Sequence, residues 1–223
     1  MTYLHWDEKT ITDFSEKNVS DMYAHGYVFT RIGKGVMQQT RSVRIDLSKF
    51  ELSSENRRML KKIAEYTKVS LDLPLKEYDF SIGKIAKDFY EEKFGPSIMS
   101  AQKVKEMLTD GAKGNFNELL VYSQNKSPIG YVICYENSEM VHYSYPFYDL
   151  AAAPKDMGLG MMTSSIEWAK NNGVKYIYLG SLQRPGDTYK LQFEGLEWFD
   201  GGPEGSNTWK TDVSSLKEML KSA

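Results

Sequence analysis

A single cysteine, Cys134, stands in a chain of 223 residues, so no intrachain disulfide and no cysteine-based zinc site can form. It lies in the apolar run YVICY and reads as a small buried hydrophobe. The three histidines, His5, His25 and His142, lack ligand spacing, and no metal is expected. No stretch approaches the ~18 uninterrupted apolar residues of a membrane helix. The opening MTYLHWDEKTITDF is acidic and polar where a signal peptide needs an apolar run, which predicts a soluble, cytoplasmic protein with no membrane partner. An excess of charge is missing too: 28 Lys and Arg against 30 Asp and Glu give a net charge of -2. Any contact with nucleic acid must therefore come from a local patch. There are no internal repeats and no low-complexity tract.

What is present is a chain long enough to bury a core without staples. Two β-rich runs, YVFTRI and RSVRIDL, are separated by GKGVMQQT, whose glycines predict a turn. LSSENRRMLKKIAEYTK then reads as one helix capped by Ser53 or Ser54. Winding it at ~100° per residue puts Met59, Ile63 and Tyr66 on one side and Arg57, Arg58, Lys61 and Lys62 on the other. Two further helices are expected over 78–94 and 100–110. From Glu118 the texture becomes strand: ELLVYSQ, a turn at NKSP, IGYVICYE, a turn at NS, then EMVHYSYPFYD, spaced as antiparallel hairpins. A helix follows that stops at Asn171-Asn172-Gly173, then the strand VKYIYLGS as a parallel return, a short helix in DTYKLQFEGL, a strand at EWF and a last helix from Val213 to Lys221. This order predicts an α/β (α+β) fold, a mixed and largely antiparallel sheet flanked by helices. The expected division is a smaller N-terminal region, 1–75, holding the hairpin and basic helix, and an α/β domain, 76–223.

The segment YDLAAAPKDMGLGMMTSSIEWAK places Gly158 and Gly160 where a helix begins. A helix N-terminus offers unpaired N–H groups and the positive end of its dipole, glycine lets backbone approach a ligand, and Lys155 adds charge. The same glycines also suit a turn that merely starts a helix. In this position K-x-x-G-x-G resembles the R/Q-x-x-G-x-G/A acyl-donor loop of the GNAT acyltransferase superfamily.

A closer resemblance spans both halves of the chain. Lys155, Gly158, Ile166-Glu167-Trp168-Ala169, Tyr176, Tyr178-Leu179-Gly180, Tyr189-Lys190 and Phe193 stand in register with the C-terminal pattern of the aminoacyl-tRNA–protein transferases, the arginyl- and leucyl-transferases of the N-degron system. Arg44-Ile45-Asp46, Phe50, Ser53, Arg57-Arg58, Leu60 and Lys61 resemble that family's R-V-x-V-x-x-F-x-x-S-x-x-Q-R-R-x-L-K-R segment. Two departures stand out. The family's C-x-x-C pair is replaced by Met37-Gln38-Gln39-Thr40, and its tyrosine-rich continuation by Ser181-Leu182-Gln183-Arg184.

The resemblance implies a GNAT-like domain that passes an amino acid from aminoacyl-tRNA to the α-amino group of a protein, a peptide or a small amine, with no cofactor. It implies a donor loop of Lys155, Gly158 and Gly160, and an acyl site between Tyr145, Tyr148 and Asp149 on one strand and Leu179, Gly180 and Ser181 on another. Asp149 is a candidate for gripping the acceptor ammonium or relaying its proton, or else a turn aspartate capping its loop. Tyr189 and Lys190 are candidates for contacting the donor's phosphate or leaving oxygen, or else structural support. Arg57, Arg58, Lys61 and Lys62 either hold tRNA phosphates or form a solvated face. Glu167 is expected to pair with Lys170 or Lys175, and Trp198 and Trp209 to be structural. Two other readings stay open: an acyl-CoA-dependent N-acyltransferase, with acetyl-CoA or another acyl-CoA as donor, and a catalytically silent module that binds a peptide N-terminus or RNA. The oligomeric state is left open.

Overall fold

A computed structural model describes residues 4–221. The chain runs β1 (Asp7–Thr10), α1 (Glu16–Ala24), β2 (Tyr27–Phe29), β3 (Val36–Gln39), β4 (Ser42–Asp46), α2 (Ser54–Lys62), β5 (Thr67–Asp72), α3 (Phe80–Phe94) and α4 (Ala101–Thr109). It continues β6 (Glu118–Gln124), β7 (Ser127–Glu136), β8 (Met140–Tyr148), α5 (Met157–Asn171), β9 (Tyr176–Ser181), a 3₁₀ helix (Pro185–Gln192), β10 (Leu196–Asp200), β11 (Thr208–Lys210) and α6 (Val213–Lys221). Polar caps start several helices. Ser15 accepts from the Asn18 N–H, Asp79 from Ser81 and Ser100 from Lys103.

The strands form a mixed, largely antiparallel arrangement flanked by helices, as the sequence predicts. Pairings β1–β3, β2–β3, β10–β11, β4–β10, β4–β9, β5–β6 and β6–β7 are antiparallel, and β8–β9 is parallel. Two compact units share the elements. One gathers the chain up to Ser53, Asn137–His142 and everything from Ile166. It holds the small sheet β1-β3-β2 and the succession β11-β10-β4-β9, with β9 taking the first residues of β8 as its parallel neighbour. Its core includes Tyr23, Val43, Ile45, Ile177 and Phe199, all at most 2% exposed. The other gathers Ser54–Glu136 and Tyr143–Ser165. It holds β5, β6 and β7 in sequence, with Leu119, Leu120, Val132 and Ile133 fully buried and Met157 and Met161 of α5 packed over Gly130. Each such side chain stabilises the fold by roughly 1.5–3 kcal/mol.

Three expectations are corrected. GKGVMQQT is not all turn: Val36–Gln39 is the central strand of the small sheet, and the turn is confined to the residues before it, where Gly35 takes φ +75°. The helix expected through Lys68 stops at Lys62, because Thr67–Asp72 pairs residue for residue with β6 and its β-branched Thr67 and Val69 suit a strand. The loop at NKSP is tighter than expected, β7 starting at Ser127 after Asn125 and Lys126 at positive φ.

Candidate active site

The turn into α5 and the basic helix α2 lie together. The Lys62 ammonium forms an ion pair with Asp156, the residue before α5. Ile63 sits so close over Gly160 that a Cβ there would come within 2.6 Å of its Cγ2. Lys62 first, and then Arg58 and Lys155, hold the Asp156 carboxyl below the usual range. Met59 and Ile63 are buried while Arg57, Arg58, Lys61 and Lys62 are exposed, as the helical winding predicts. These cations are not all bare, however: Arg58 is paired with Glu55 at 2.5 Å and Lys62 with Asp156. Lys155 is exposed. Gly160 is buried against Ile63, so close helix packing already requires a glycine there.

In the same unit, Tyr148 is 9% exposed and its ring packs on Phe89 with centroids 4.8 Å apart. Burial raises its phenol pKa, and the Gly158 backbone N–H near the hydroxyl acts in the opposite direction. A Cβ on Gly158 would meet that ring at 3.4 Å, an ordinary contact. Tyr145 is half-buried edge-on to Phe116. Asp149 Oδ1 accepts from the Ala151 and Ala152 N–H groups at 2.8 and 3.3 Å, so it does cap its own loop. It also lines a cleft of about 350 Å³ with Lys84, Ile85, Asp88, Phe89 and Leu150. Capping and a place in a cleft therefore coexist at this residue.

The other unit holds the remaining candidates. Parallel pairing of β8 with β9 covers only Met140–His142 against Tyr176–Tyr178. Just beyond, β9 bulges: Ser42 faces Ser181 and Arg44 faces Tyr178, so Leu179 and Gly180 together oppose Val43, and Gly180 takes φ +76°. The Lys190 ammonium, buried, donates to the Ser181 carbonyl at 2.8 Å. Burial lowers its pKa to about 8, Asp187 raising it and Arg184 lowering it further. Asp187 Oδ2 accepts from the Gln183 and Arg184 N–H groups, anchoring the 3₁₀ helix that carries Lys190. The Ser181 hydroxyl is held by Thr40 at 2.9 Å and Gln183 at 2.8 Å, which leaves mainly backbone for any ligand here. Leu179 is buried, whereas Tyr189 is 43% exposed beside buried Lys190.

Sequence reasoning did not single out His142. It is fully enclosed, with Nδ1 2.8 Å from the Tyr23 hydroxyl, and burial followed by the Lys190 charge lowers its pKa to about 3. A histidine inside an apolar strand partnered 119 residues away leaves no local signal. Lys170 bonds the Phe50 carbonyl and Glu51, the partner it takes in place of the expected Glu167. The Trp198 and Trp209 indoles donate to the Asp212 and Ala24 carbonyls. Cys134 is fully buried, its thiol pushed well up by burial. Among the described residues no three His, Cys, Asp or Glu side chains gather to hold a metal, and no helix is long and apolar enough to cross a membrane.

The family model described as the acetyltransferase (GNAT) domain matches residues 57–191. The chain belongs to the GNAT acetyltransferase family. Every candidate residue from Arg57 to Lys190 falls inside that GNAT span. No curated protein matches the chain. Among solved structures, L-PGS from Bacillus licheniformis is 14% identical over 82% of this chain and 53% of its own, with a TM-score of 0.50. A C-terminal domain described as that of a lysylphosphatidylglycerol synthetase from Agrobacterium fabrum is 13% identical over 75% of this chain and 51% of its own, at 0.46. A GCN5-related glucosamine N-acetyltransferase region of a fungal multi-domain β-N-acetylglucosaminidase is 10% identical over 87% of this chain and 23% of that one, at 0.49. The chain thus spans about half the length of the first two and about a quarter of the third. At 14% identity the likeness to L-PGS is one of fold alone. The GNAT match gives the chain a domain of the acetyltransferase family, and its description names no arginyl- or leucyl-transferase.

Proposed function

We propose that this GNAT domain is an aminoacyl-tRNA-dependent transferase that passes an amino acid to an amine, either the α-amino group of a protein or peptide or a small amine. The observation that carries the reading is the packing of α2 on the first turn of α5, through Lys62 with Asp156 and Ile63 over Gly160. A helix with exposed cations packed against a helix N-terminus suits a donor whose phosphates extend well past its reacting end. The resemblance to the arginyl- and leucyl-transferases runs through neighbouring residues of the same two segments, Arg57, Arg58, Lys61, Lys155 and Gly158. The reading calls for the cytoplasm, where aminoacyl-tRNA is made.

In the proposed reaction the neutral acceptor nitrogen attacks the ester carbonyl carbon, a C–N bond forms, and the C–O bond to the terminal ribose breaks. The amine proton passes to a base and the ribose oxygen takes one up. Asp149 is proposed to hold the acceptor ammonium before it is deprotonated. Lys190, with a pKa of about 8, is partly neutral near physiological pH and is proposed to take part in the proton movement. The main chain at Leu179, Gly180 and Ser181 is proposed to receive the acyl group, and Tyr189 to contact the donor's phosphate or leaving oxygen. Because the ester is already activated, positioning supplies much of the rate.

A second reading, acyl transfer from acetyl-CoA or another acyl-CoA, is favoured by the acetyltransferase description of the matched family and by the K-x-x-G-x-G spacing at Lys155. The test is transfer of label from arginyl-, leucyl- and other aminoacyl-tRNAs, and in parallel from acetyl-CoA, to peptides differing in their first residue. Label passing from an aminoacyl-tRNA supports the proposal, and label passing only from acetyl-CoA establishes the second reading. No transfer from any donor by a protein that still binds peptide or RNA would leave a catalytically silent module.

A further inference from the structure

Among the described residues, strand β5 pairs with β6 on one side only and ends the succession of strands. It is exposed nearly throughout, and its two apolar residues, Val69 and Leu71, are 50% and 42% accessible. They stand opposite Val121 and Leu119, which are buried, so the apolar face of the sheet runs uncovered onto the edge strand. A flat, exposed, partly apolar edge is a template for another strand, and folded proteins ordinarily block it.

The hydrogen-bonding phase of this edge is set. Leu73 donates to the Asn117 carbonyl, extending the unbroken register Thr67↔Ser123 to Asp72↔Glu118. Since backbone groups alternate along an antiparallel strand, Thr67, Val69 and Leu71 bond towards β6, and Lys68, Ser70 and Asp72 turn their N–H and C=O groups to the open edge. A second strand must meet those three residues.

We propose that the open edge of β5 is a dimer interface, at which a second copy of this chain adds its own β5 in antiparallel register about a two-fold axis through Ser70. In that register Ser70 faces Ser70, Lys68 faces Asp72 of the other copy, and Val69 faces Leu71. The outward phase is satisfied at all three hydrogen-bonding positions, opposite charges meet twice, and four apolar side chains close together on one face. Centring on Val69 would set Lys68 against Ser70 and leave Asp72 outside. Centring on Leu71 would set Lys68 against Pro74, which has no N–H. Among the in-phase registers only the Ser70-centred one matches both charge and apolar pattern. The acidic end of β5 supplies a second argument. Asp72 neighbours Glu118 across the ladder, and Glu118 is crowded by Glu136 as well, its carboxyl pushed up to about 7 by burial first and by those two charges after it. An incoming Lys68 brings positive charge to that spot. Lys68 also donates to the Ser164 carbonyl at 3.1 Å.

The test is sedimentation velocity of the whole chain over a dilution series. A reversible dimer is expected for the wild type. Ser70→Pro removes only an outward N–H and is expected to keep its far-UV circular dichroism and sediment as a monomer. Lys68→Asp and Asp72→Lys each set like charges opposite one another and are expected to be monomeric alone. Mixed in equal amounts they restore both opposite-charge pairs and are expected to form a heterodimer, a readout that holds even if Ser70→Pro fails to fold. A wild type that stays monomeric, leaving the edge to another protein's strand or to water, would overturn the proposal. So would a dimer that survives Ser70→Pro, or folded charge variants that do not associate when mixed.

Discussion

Lys190 donates its buried ammonium to the main-chain carbonyl of Ser181 at 2.8 Å, tying the 3₁₀ helix to the end of β9 just past the bulge at Gly180. The bond gives a buried charge one good acceptor and leaves its pKa at about 8. If Lys190 takes part in proton movement, single-turnover transfer in the wild type should rise with pH through about 8 as the neutral amine accumulates. Lys190→Met should lose at least about 100-fold in kcat, the usual size of a general acid–base contribution, and lose the pH step with it. The sign of the stability effect is independent of activity. The folded pKa lies below the ordinary value of 10.5, so between about pH 8 and 10.5 the unfolded chain binds the extra proton and stability climbs with pH. Thermal melts across that window should show a gain on the order of 1–3 kcal/mol in the wild type and none in Lys190→Met.

The two glycines of the α5 turn should behave differently. Gly160→Ala forces a methyl against Ile63 Cγ2, a stiff, buried, β-branched side chain, and should cost about 1–3 kcal/mol in a denaturant melt. Combined with Ile63→Ala, the alanine at 160 should be tolerated, because the obstructing atom is gone. Gly158→Ala meets Tyr148 at 3.4 Å and should leave stability within about 0.5 kcal/mol of wild type. A fall in donor affinity with the fold intact would tie Gly158 to the donor, whereas unchanged affinity would move the donor elsewhere.

Most of the element order was legible because it rests on local pattern: the apolar alternation of β6 to β8, the amphipathic winding of α2, and the glycine that ends α5. The exceptions have physical reasons. Val36–Gln39 and Thr67–Asp72 have mixed, weakly periodic side chains, and partner strands hold them in extended form. The glycine turn and the basic helix could each be read from sequence. Their meeting could not, because Lys62 and Asp156 are 94 residues apart. The same limit hid the packing reason for Gly160 and the enclosure of Lys190 and His142. Spacing shows which residue types sit near one another along the chain, and only folding shows which polar groups lose water.

Glu118 gives a pH signature unconnected with catalysis. Its carboxyl is raised to about 7, chiefly by burial and then by Glu136 and Asp72, so the folded state binds its proton more tightly than the unfolded chain does. Stability from this group is therefore full below about pH 4.5 and lost as pH rises through about 7. Glu118→Gln keeps the shape and removes the titration. It should leave the melting temperature near pH 5 little changed and raise stability at pH 8 by on the order of 1–3 kcal/mol. Equal melting curves for the two proteins at pH 8 would show that Glu118 carries no such strain.

The cations of α2 have unequal standing, and this separates a phosphate-binding role from a structural one. Lys62 holds Asp156 beside the α5 turn, so Lys62→Ala disturbs the turn whether or not nucleic acid binds there. Arg57 and Lys61 are exposed on the same helix and take no part in that ion pair. The clean test is therefore Arg57→Ala with Lys61→Ala, leaving Lys62 in place. If both side chains contact tRNA phosphates, each released counterion contributes to the salt dependence. The plot of log affinity against log salt should then become shallower by roughly 1.5–2 for the pair, while the melting temperature stays put. Competing acetyl-CoA should show no comparable change of slope if the surface serves a long polyanion. A slope unaltered by the double substitution would return α2 to ordinary solvated surface and leave α5 alone to meet the donor, as the acyl-CoA reading requires.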